Sequence, residues 1–260
     1  MSNKPVKNPV IIIQARIGST RLPGKSMIKL AGRPLIDWVI EGAGEVRNTK
    51  SIVVATTSRD EDSRLADHVR ELGVKEVFRG DAEDVLGRFY HAAMEVNADP
   101  VIRLCGDNPL AAAEYLDEMI TRHIEREADF TYNRSKIPLG VTGEVISMRA
   151  LEKIHREAGK PHQREHVTPY LLENPESFVI QTTDAPEWMR GDFRMTVDEE
   201  RDLMMFEMLF KAVTGKKMKV DFKNAMDVMR LHPEIAALNA SVKQKDWRLE
   251  GFFYRLVNNR

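Results

Sequence analysis

Cysteine is nearly absent: Cys105 is the one thiol in 260 residues. That excludes an intrachain disulfide framework and any multi-cysteine zinc site. It fits a reducing compartment, so a cytoplasmic location is expected. An excess of charge of either sign is lacking as well. Thirty-nine lysines and arginines stand against 40 aspartates and glutamates, leaving a formal net charge of −1. A chain this neutral has no overall field to hold nucleic acid or an anionic membrane. Neither is expected as a partner, and any anion site must be built locally. Long apolar runs are missing too. Val10 to Ile13 is far too short for a signal-peptide core or a membrane span, and no other window offers a long uncharged apolar stretch. With 42% hydrophobic and 30% charged residues, low-complexity and disordered classes are out.

What is present is a rhythm. Residues 10–14, Val-Ile-Ile-Ile-Gln, read as a strand buried on both faces, and residues 51–56 as a second. Val77-Phe78 predicts a short third strand and residues 100–104 a fourth. Between them lie amphipathic stripes: Leu35, Ile36, Val39 and Ile40 after Pro34; Leu65, Val69 and Leu72 before Gly73; Val85, Leu86, Phe89, Ala93 and Val96. Ser58 and Glu61 have capping-box spacing. Leu116, Met119, Ile120 and Ile124 mark one more helix. Strict alternation over 10–125 predicts parallel βαβ units, with ligands beyond the carboxyl ends of the strands. After residue 128 strand-like pieces are expected near 128–132, 143–148, 177–182 and 193–197. Helices are expected near 149–157, 163–173, 199–213, 224–230 and 233–239. No linker or repeat divides the chain, so one α/β domain over 1–260 is expected. Its parts are a nucleotide-binding half at 8–125, an acceptor and metal half at 126–240, and an aromatic tail at 241–260 carrying Trp247, Phe252, Phe253 and Tyr254.

The loop after the first strand carries the densest chemistry. Gln14-Ala15-Arg16-Ile17-Gly18-Ser19-Thr20-Arg21-Leu22-Pro23-Gly24-Lys25 packs three cations, two hydroxyls and two glycines into twelve residues. Glycines let backbone N–H groups approach a ligand, arginine grips phosphate oxygens with two donors, and lysine acts as a point charge. The same composition also suits a solvated turn. The spacing is neither that of a Walker A loop nor G-x-G-x-x-G.

These residues resemble the signature loop of the sugar-activating cytidylyltransferases, the acylneuraminate and 3-deoxy-manno-octulosonate (KDO) group, and among them the spore-coat polysaccharide biosynthesis protein F branch. Further matches follow in order: Val54-Ala55-Thr56-Thr57, Phe78-Arg79-Gly80-Asp81-Ala82-Glu83-Asp84-Val85-Leu86, Arg103-Leu104-Cys105-Gly106-Asp107-Asn108-Pro109-Leu110, Arg164-Glu165-His166-Val167-Thr168-Pro169-Tyr170 and Arg194-Met195-Thr196-Val197-Asp198. The resemblance implies a three-layer α/β/α, Rossmann-like nucleotidyltransferase fold with a mostly parallel sheet. It implies an enzyme that transfers CMP from CTP to a small acidic sugar-like acceptor and releases pyrophosphate, for surface polysaccharide or glycoconjugate synthesis. A homodimer is expected, both from the resemblance and from the aromatic tail.

The resemblance also assigns roles. Ala15, Arg16, Gly18, Ser19, Arg21, Lys25, Gly80, Asp84 and Asp107 are expected at the nucleotide, with Arg16, Lys25 and Asp107 catalytic. Asp107 and Asp198 are expected to hold Mg²⁺, whose preference for hard oxygens suits carboxylates and triphosphate. Read by pattern alone, Asp107 is a turn residue before Asn-Pro, and Asp198 is a helix N-cap. An empty pair of carboxylates would repel, so replacing either by Asn is expected to leave the fold intact or to relieve it. Glu144, Arg164, Glu165 and His166 are expected toward the acceptor. The stretch from Lys136 to Glu144 matches the family only in part: Val141-Thr142 stands where relatives often carry an acid. Cys105, in a buried strand, is assigned to packing. His162 and His166 have helical i, i+4 spacing but lack the H-E-x-x-H order of a zinc helix.

Two other readings remain at this point. A glycosyltransferase of similar fold would carry a D-x-D-like metal motif. Asp60-Glu61-Asp62 and Asp81-Ala82-Glu83 come nearest and read as acidic helix starts. A non-catalytic nucleotide-binding protein is the second, and it would be stabilised by CTP without turnover.

Overall fold

The computed structural model describes residues 7–244. In chain order these form β1 (Val10–Gln14), β2 (Lys29–Leu30), β3 (Arg33–Pro34), α1 (Leu35–Gly44), β4 (Ser51–Thr57), α2 (Ser63–Glu71), β5 (Glu76–Gly80), α3 (Val85–Glu95), β6 (Val101–Cys105) and α4 (Ala113–Glu125). There follow β7 (Phe130–Asn133), β8 (Glu144–Ile146), α5 (Met148–Glu157), α6 (Pro161–His166), α7 (Pro169–Glu173), β9 (Ile180–Thr183), α8 (Glu200–Gly215), α9 (Phe222–Leu231) and α10 (Pro233–Ala237).

Seven strands make one sheet in the order β5-β4-β1-β6-β8-β7-β9, while β2 and β3 pair separately. Only β8 runs against the rest: it pairs antiparallel with both β6 and β7. The central pairing is in register over all of β1, with Ile12 opposite Val53 on one side and Arg103 on the other. Strands of the second half therefore extend the sheet begun by the first. Successive side chains of a strand point to opposite faces. Ile11 and Ile13 accordingly enter the core built with α1, α4, α8 and α9, whereas Val10 and Ile12 enter the core built with α3, α5 and α7. This is the expected three-layer arrangement.

The helix stops and starts follow local chemistry. Gly73, at φ +92°, ends α2 in the left-handed region, as its position in the sequence predicts. The Ser58–Glu61 capping box does not form. A 3₁₀ turn over Asp60–Asp62 precedes α2, and Asp62 turns inward instead. The predicted helix over 163–173 is two short helices, because Val167 at φ +70° interrupts it. The expected strand over 193–197 is a correction: the segment is extended but makes only one isolated bridge, Leu139 to Arg194. It lies along the 139–141 loop rather than in the sheet. Gly140, at φ +95°, allows this contact, since a Cβ there would fall 2.4 Å from the Met195 carbonyl oxygen. No helix among the described residues is long and apolar enough to cross a membrane. The aromatic stretch 247–256, expected to pack on the body or a partner, lies outside the described residues.

Candidate active site

The cleft opens at the carboxyl ends of β1 and β6, where adjacent parallel strands deliver Gln14 and Cys105 side by side. Gly106 lets the two loops close on each other: a Cβ there would sit 2.7 Å from Ala15 Cβ and 2.9 Å from the Gln14 carbonyl oxygen. The basic loop then wraps the opening. Ser26 Oγ donates to the Arg16 carbonyl at 3.0 Å, and the Ile17 backbone N–H donates to Asp62 Oδ1 at 2.6 Å. Ala15, Arg16, Gly18, Ser19, Arg21, Lys25, Asp107, Glu165, His166 and Asp198 all line this cleft.

At its centre is a charged cluster drawn from three distant segments. Lys25 Nζ donates to Asp107 Oδ2 at 2.5 Å and to Asp198 Oδ1 at 2.9 Å. The Arg21 guanidinium reaches the same Asp198 oxygen at 3.0 Å, and Arg194 Nη2 donates to Asp198 Oδ2 at 2.8 Å. The backbone brings the two aspartates together: the Val197 N–H donates to the Asp107 carbonyl at 2.9 Å. Burial pushes the Asp198 carboxyl up, but Lys25, Arg21 and Arg194 outweigh it and hold the group below the usual carboxylate range. Burial likewise disfavours a charged Lys25, yet Asp107 and Asp198 more than offset that and raise its ammonium. Two consequences follow. Asp198 is not the helix cap, since Glu199 occupies the N-cap position of α8. The pair does not repel as an empty acidic site would, because the half-buried Lys25 ammonium bridges it, so removing one carboxylate is expected to destabilise the site rather than relieve it.

Other residues expected at the site are committed elsewhere. Gly80 ends β5, and its carbonyl accepts from the Ser58 N–H at 2.8 Å. Asp84 caps α3 by accepting from the Gly87 N–H at 2.8 Å and forms an ion pair with Arg164. Arg164 also donates to the His155 carbonyl at 2.8 Å, so it ties α6 to α5 and α3 rather than facing the cleft. Glu144 Oε2 accepts from Arg103 at 2.8 Å, with the Thr168 hydroxyl 3.2 Å from its other oxygen. The His162 imidazole contacts Glu173 at 2.5 Å, which removes it from any zinc pair with His166. Neither acidic triplet offers a free metal motif. Asp62 is fully buried and takes the Thr57 hydroxyl as well as the Ile17 N–H. Asp81 accepts from the backbone of Glu83 and Asp84.

Two arginines escaped sequence reasoning. Arg88 on α3 lines the cleft and is almost fully buried. Its Nη1 and that of Arg16 converge on one carbonyl, Ala82, at 3.0 and 3.3 Å, and Arg88 Nε has no acceptor among the described residues. Burial, and then the nearby Arg16 charge, lower the Arg88 guanidinium. The signal was a cation inside the apolar stripe that runs from Val85 to Phe89. Arg194 lay within a quoted motif, but nothing in its spacing marked it as the partner of Asp198.

Residues 10–246 match the cytidylyltransferase family. The chain is a member of that family. It is 34% identical over 233 residues to the spore coat polysaccharide biosynthesis protein SpsF of Bacillus subtilis, covering 87% of this chain and 96% of that protein. It is 36% identical over 203 residues to the 3-deoxy-manno-octulosonate cytidylyltransferase of Anaeromyxobacter dehalogenans, covering 72% of this chain and 82% of that one. Among solved structures, a cytidylyltransferase from Leptospira borgpetersenii superposes with a TM-score of 0.81 at 28% identity, over 92% of this chain and all of that one. The fold and the cytidylyltransferase membership thus meet the expectations raised by the first-strand loop.

Proposed function

We propose that this cytidylyltransferase-family chain transfers CMP from CTP to a small acidic sugar-like acceptor, releasing pyrophosphate, in the synthesis of a surface polysaccharide or glycoconjugate. The observation that carries the reading is Lys25 held between Asp107 and Asp198 in a cleft otherwise lined by Arg16, Arg21 and Arg88. That set offers both halves of what a metal-bound triphosphate needs: cations for phosphate oxygens and carboxylates for a cation.

The donor set fits Mg²⁺ shared with a nucleotide. Among the described residues no group of three or more acidic, histidine or cysteine side chains stands ready to hold a metal alone. Mg²⁺ characteristically takes one or two carboxylates and completes its shell from phosphates and water. Asp107 and Asp198 would be those carboxylates; when bound there, the ion supplies charge neutralisation on the phosphate oxygens. Arg16, Arg21 and Arg88 bind and orient the phosphates. Lys25 is released from its carboxylates and follows the charge that develops on the leaving pyrophosphate. An acceptor hydroxyl oxygen attacks the α-phosphorus in line and gives its proton up to solvent, the bond to the bridging oxygen breaks, and the electron pair leaves with pyrophosphate. Positioning and fixed charge carry the acceleration, and no covalent enzyme intermediate is required. Glu165 and His166 line the same cleft and are the side chains proposed to meet the acceptor. The chain is proposed to act as a homodimer in the cytoplasm.

The absence of a free D-x-D-like motif among the described residues favours this reading over glycosyl transfer, since Asp62 and Asp81 are engaged by backbone donors. Differential nucleotide protection tests it. With Mg²⁺ present, CTP at 100 times its dissociation constant adds about 2.7 kcal/mol of stability, and UTP, GTP and ATP at equal concentration add less. Preferential protection by ATP or GTP would overturn the cytidylyl assignment.

A further inference from the structure

Asp202, in the first turn of α8, is a carboxylate with no solvent exposure. Among the described residues, five donors meet it. Arg194 gives Nε at 2.8 Å and Nη2 at 3.2 Å, and the backbone N–H groups of Asp198 and Glu199 lie at 2.9 and 3.1 Å. Asn239, just after α10 and itself buried, gives Nδ2 at 2.9 Å. The same amide donates to the Arg194 carbonyl at 3.0 Å, so Arg194 is fixed through both its main chain and its guanidinium. Arg194 also donates from Nη2 to Asp198 Oδ2 at 2.8 Å and from Nη1 to Gln244 Oε1 at 2.5 Å. Asp198 Oδ1 is the oxygen that meets Lys25 and Arg21. Arg194, Asp202 and Asn239 stand behind the cleft wall rather than in its lining.

The division of labour within one carboxylate is the informative feature. An aspartate's terminal torsion is broad, so a free Asp198 would present either oxygen or both. Here one oxygen is locked inward by a buried arginine and the other is left for cations in the cleft. We infer that Arg194, Asp202 and Asn239 are positioning residues that restrict Asp198 to presenting a single oxygen to the cations of the cleft, which makes the segment after α10 part of what orients the site. The inference deepens the nucleotidyl-transfer reading and rests on it for its kinetic consequence. Its geometric consequence stands independently. Outer partners of this kind typically change activity by about 10- to 100-fold when replaced.

The test compares Arg194→Lys and the milder Asn239→Ala, each in the wild-type and Asp198→Asn backgrounds, with melting temperatures alongside. Arg194→Lys loses the fork geometry while keeping its charge. Expected is a fall in kcat of about 10- to 100-fold with KM for CTP changed less than about threefold. In the Asp198→Asn background the same substitutions change kcat by less than about twofold, because the residue they act through is gone. Equal losses in both backgrounds, or unchanged kcat in folded variants, would overturn the role. A wild type inert toward CTP would defeat the transfer reading instead. Crystal structures then decide the positioning: the Asp198 carboxylate turned off Lys25 in Arg194→Lys supports it, and an unmoved carboxylate overturns it.

Discussion

Asp198→Asn separates a repelling acidic pair from a bridged one. Asp198 is buried and meets three cations among the described residues: Lys25 at 2.9 Å, Arg194 at 2.8 Å and Arg21 at 3.0 Å. The Arg21 side chain is about a third exposed, so its contact is screened and contributes little. Breaking a buried ion pair by removing one partner costs about 3–5 kcal/mol, since the other charge is left uncompensated. Asn keeps one acceptor oxygen, which places the expected loss near the lower end, about 3 kcal/mol. For a domain of this size that lowers Tm by about 6–12 °C. Asp107→Asn is the internal control. Asp107 is more exposed, and Lys25 retains Asp198 when it is lost, so about 1 kcal/mol is expected. The pH dependence carries the same information. The Asp198 carboxyl is lowered in the folded state, so its stabilisation is complete above the unfolded value of about 3.9 and is lost as pH falls through the lowered folded value. The gap between wild type and Asp198→Asn should be widest above about pH 5 and close in stronger acid. Thermal and urea unfolding with EDTA and no nucleotide measure it, so that ligand linkage does not enter. An Asp198→Asn protein that melts at or above the wild-type temperature would refute the bridged cluster.

Asp62→Asn removes the carboxylate that holds the Ile17 N–H and the Thr57 hydroxyl, so kcat/KM for CTP should fall at least about tenfold; an unchanged value would show that the basic loop does not depend on it. His123 is buried against Thr131, and burial pushes its imidazole down to about 4. The unfolded ring takes its proton below about pH 6.5 while the folded one stays neutral, so stability declines by up to about 3 kcal/mol as pH drops from 6.5 toward 4. His123→Gln should flatten that slope, and an identical slope in urea titrations would refute the assignment. Burial raises the Cys105 thiol to about 11, so at pH 8 it should react with iodoacetamide at least about 100-fold slower than glutathione. Comparable rates would mean an activated thiol.

The sequence was most legible where one period persists. Val10–Gln14 and Ser51–Thr57 are largely buried on both faces, and their β-branched runs say so directly. Segment 193–197, Phe-Arg-Met-Thr-Val, alternates apolar and polar residues like a half-buried strand but lies along the Leu139–Val141 loop, and periodicity cannot tell a sheet neighbour from a loop neighbour. Ser58–Glu61 has cap spacing, yet Asp62 is drawn inward by the Ile17 N–H, a contact 45 residues away in sequence. The site divides likewise. Arg21, Lys25 and Asp107 stand in the loops that follow β1 and β6 and declare themselves by type and place. Asp84 and Arg164 lie in family motifs and Glu144 in a stretch that matches only in part, and all three are engaged elsewhere: by a helix cap, by a carbonyl and a partner acid, and by Arg103. Arg88 and Arg194 emerge only when segments remote in sequence are packed together.

Pyrophosphate release from CTP, screened over small acidic sugars with Mg²⁺, bears most directly on the central claim. We expect release that requires both CTP and one acidic acceptor, that falls by at least about 100-fold in Lys25→Met, and that is much weaker with UTP, GTP or ATP. Release independent of Lys25, or acceptor-dependent release that prefers a nucleotide other than CTP, would contradict it.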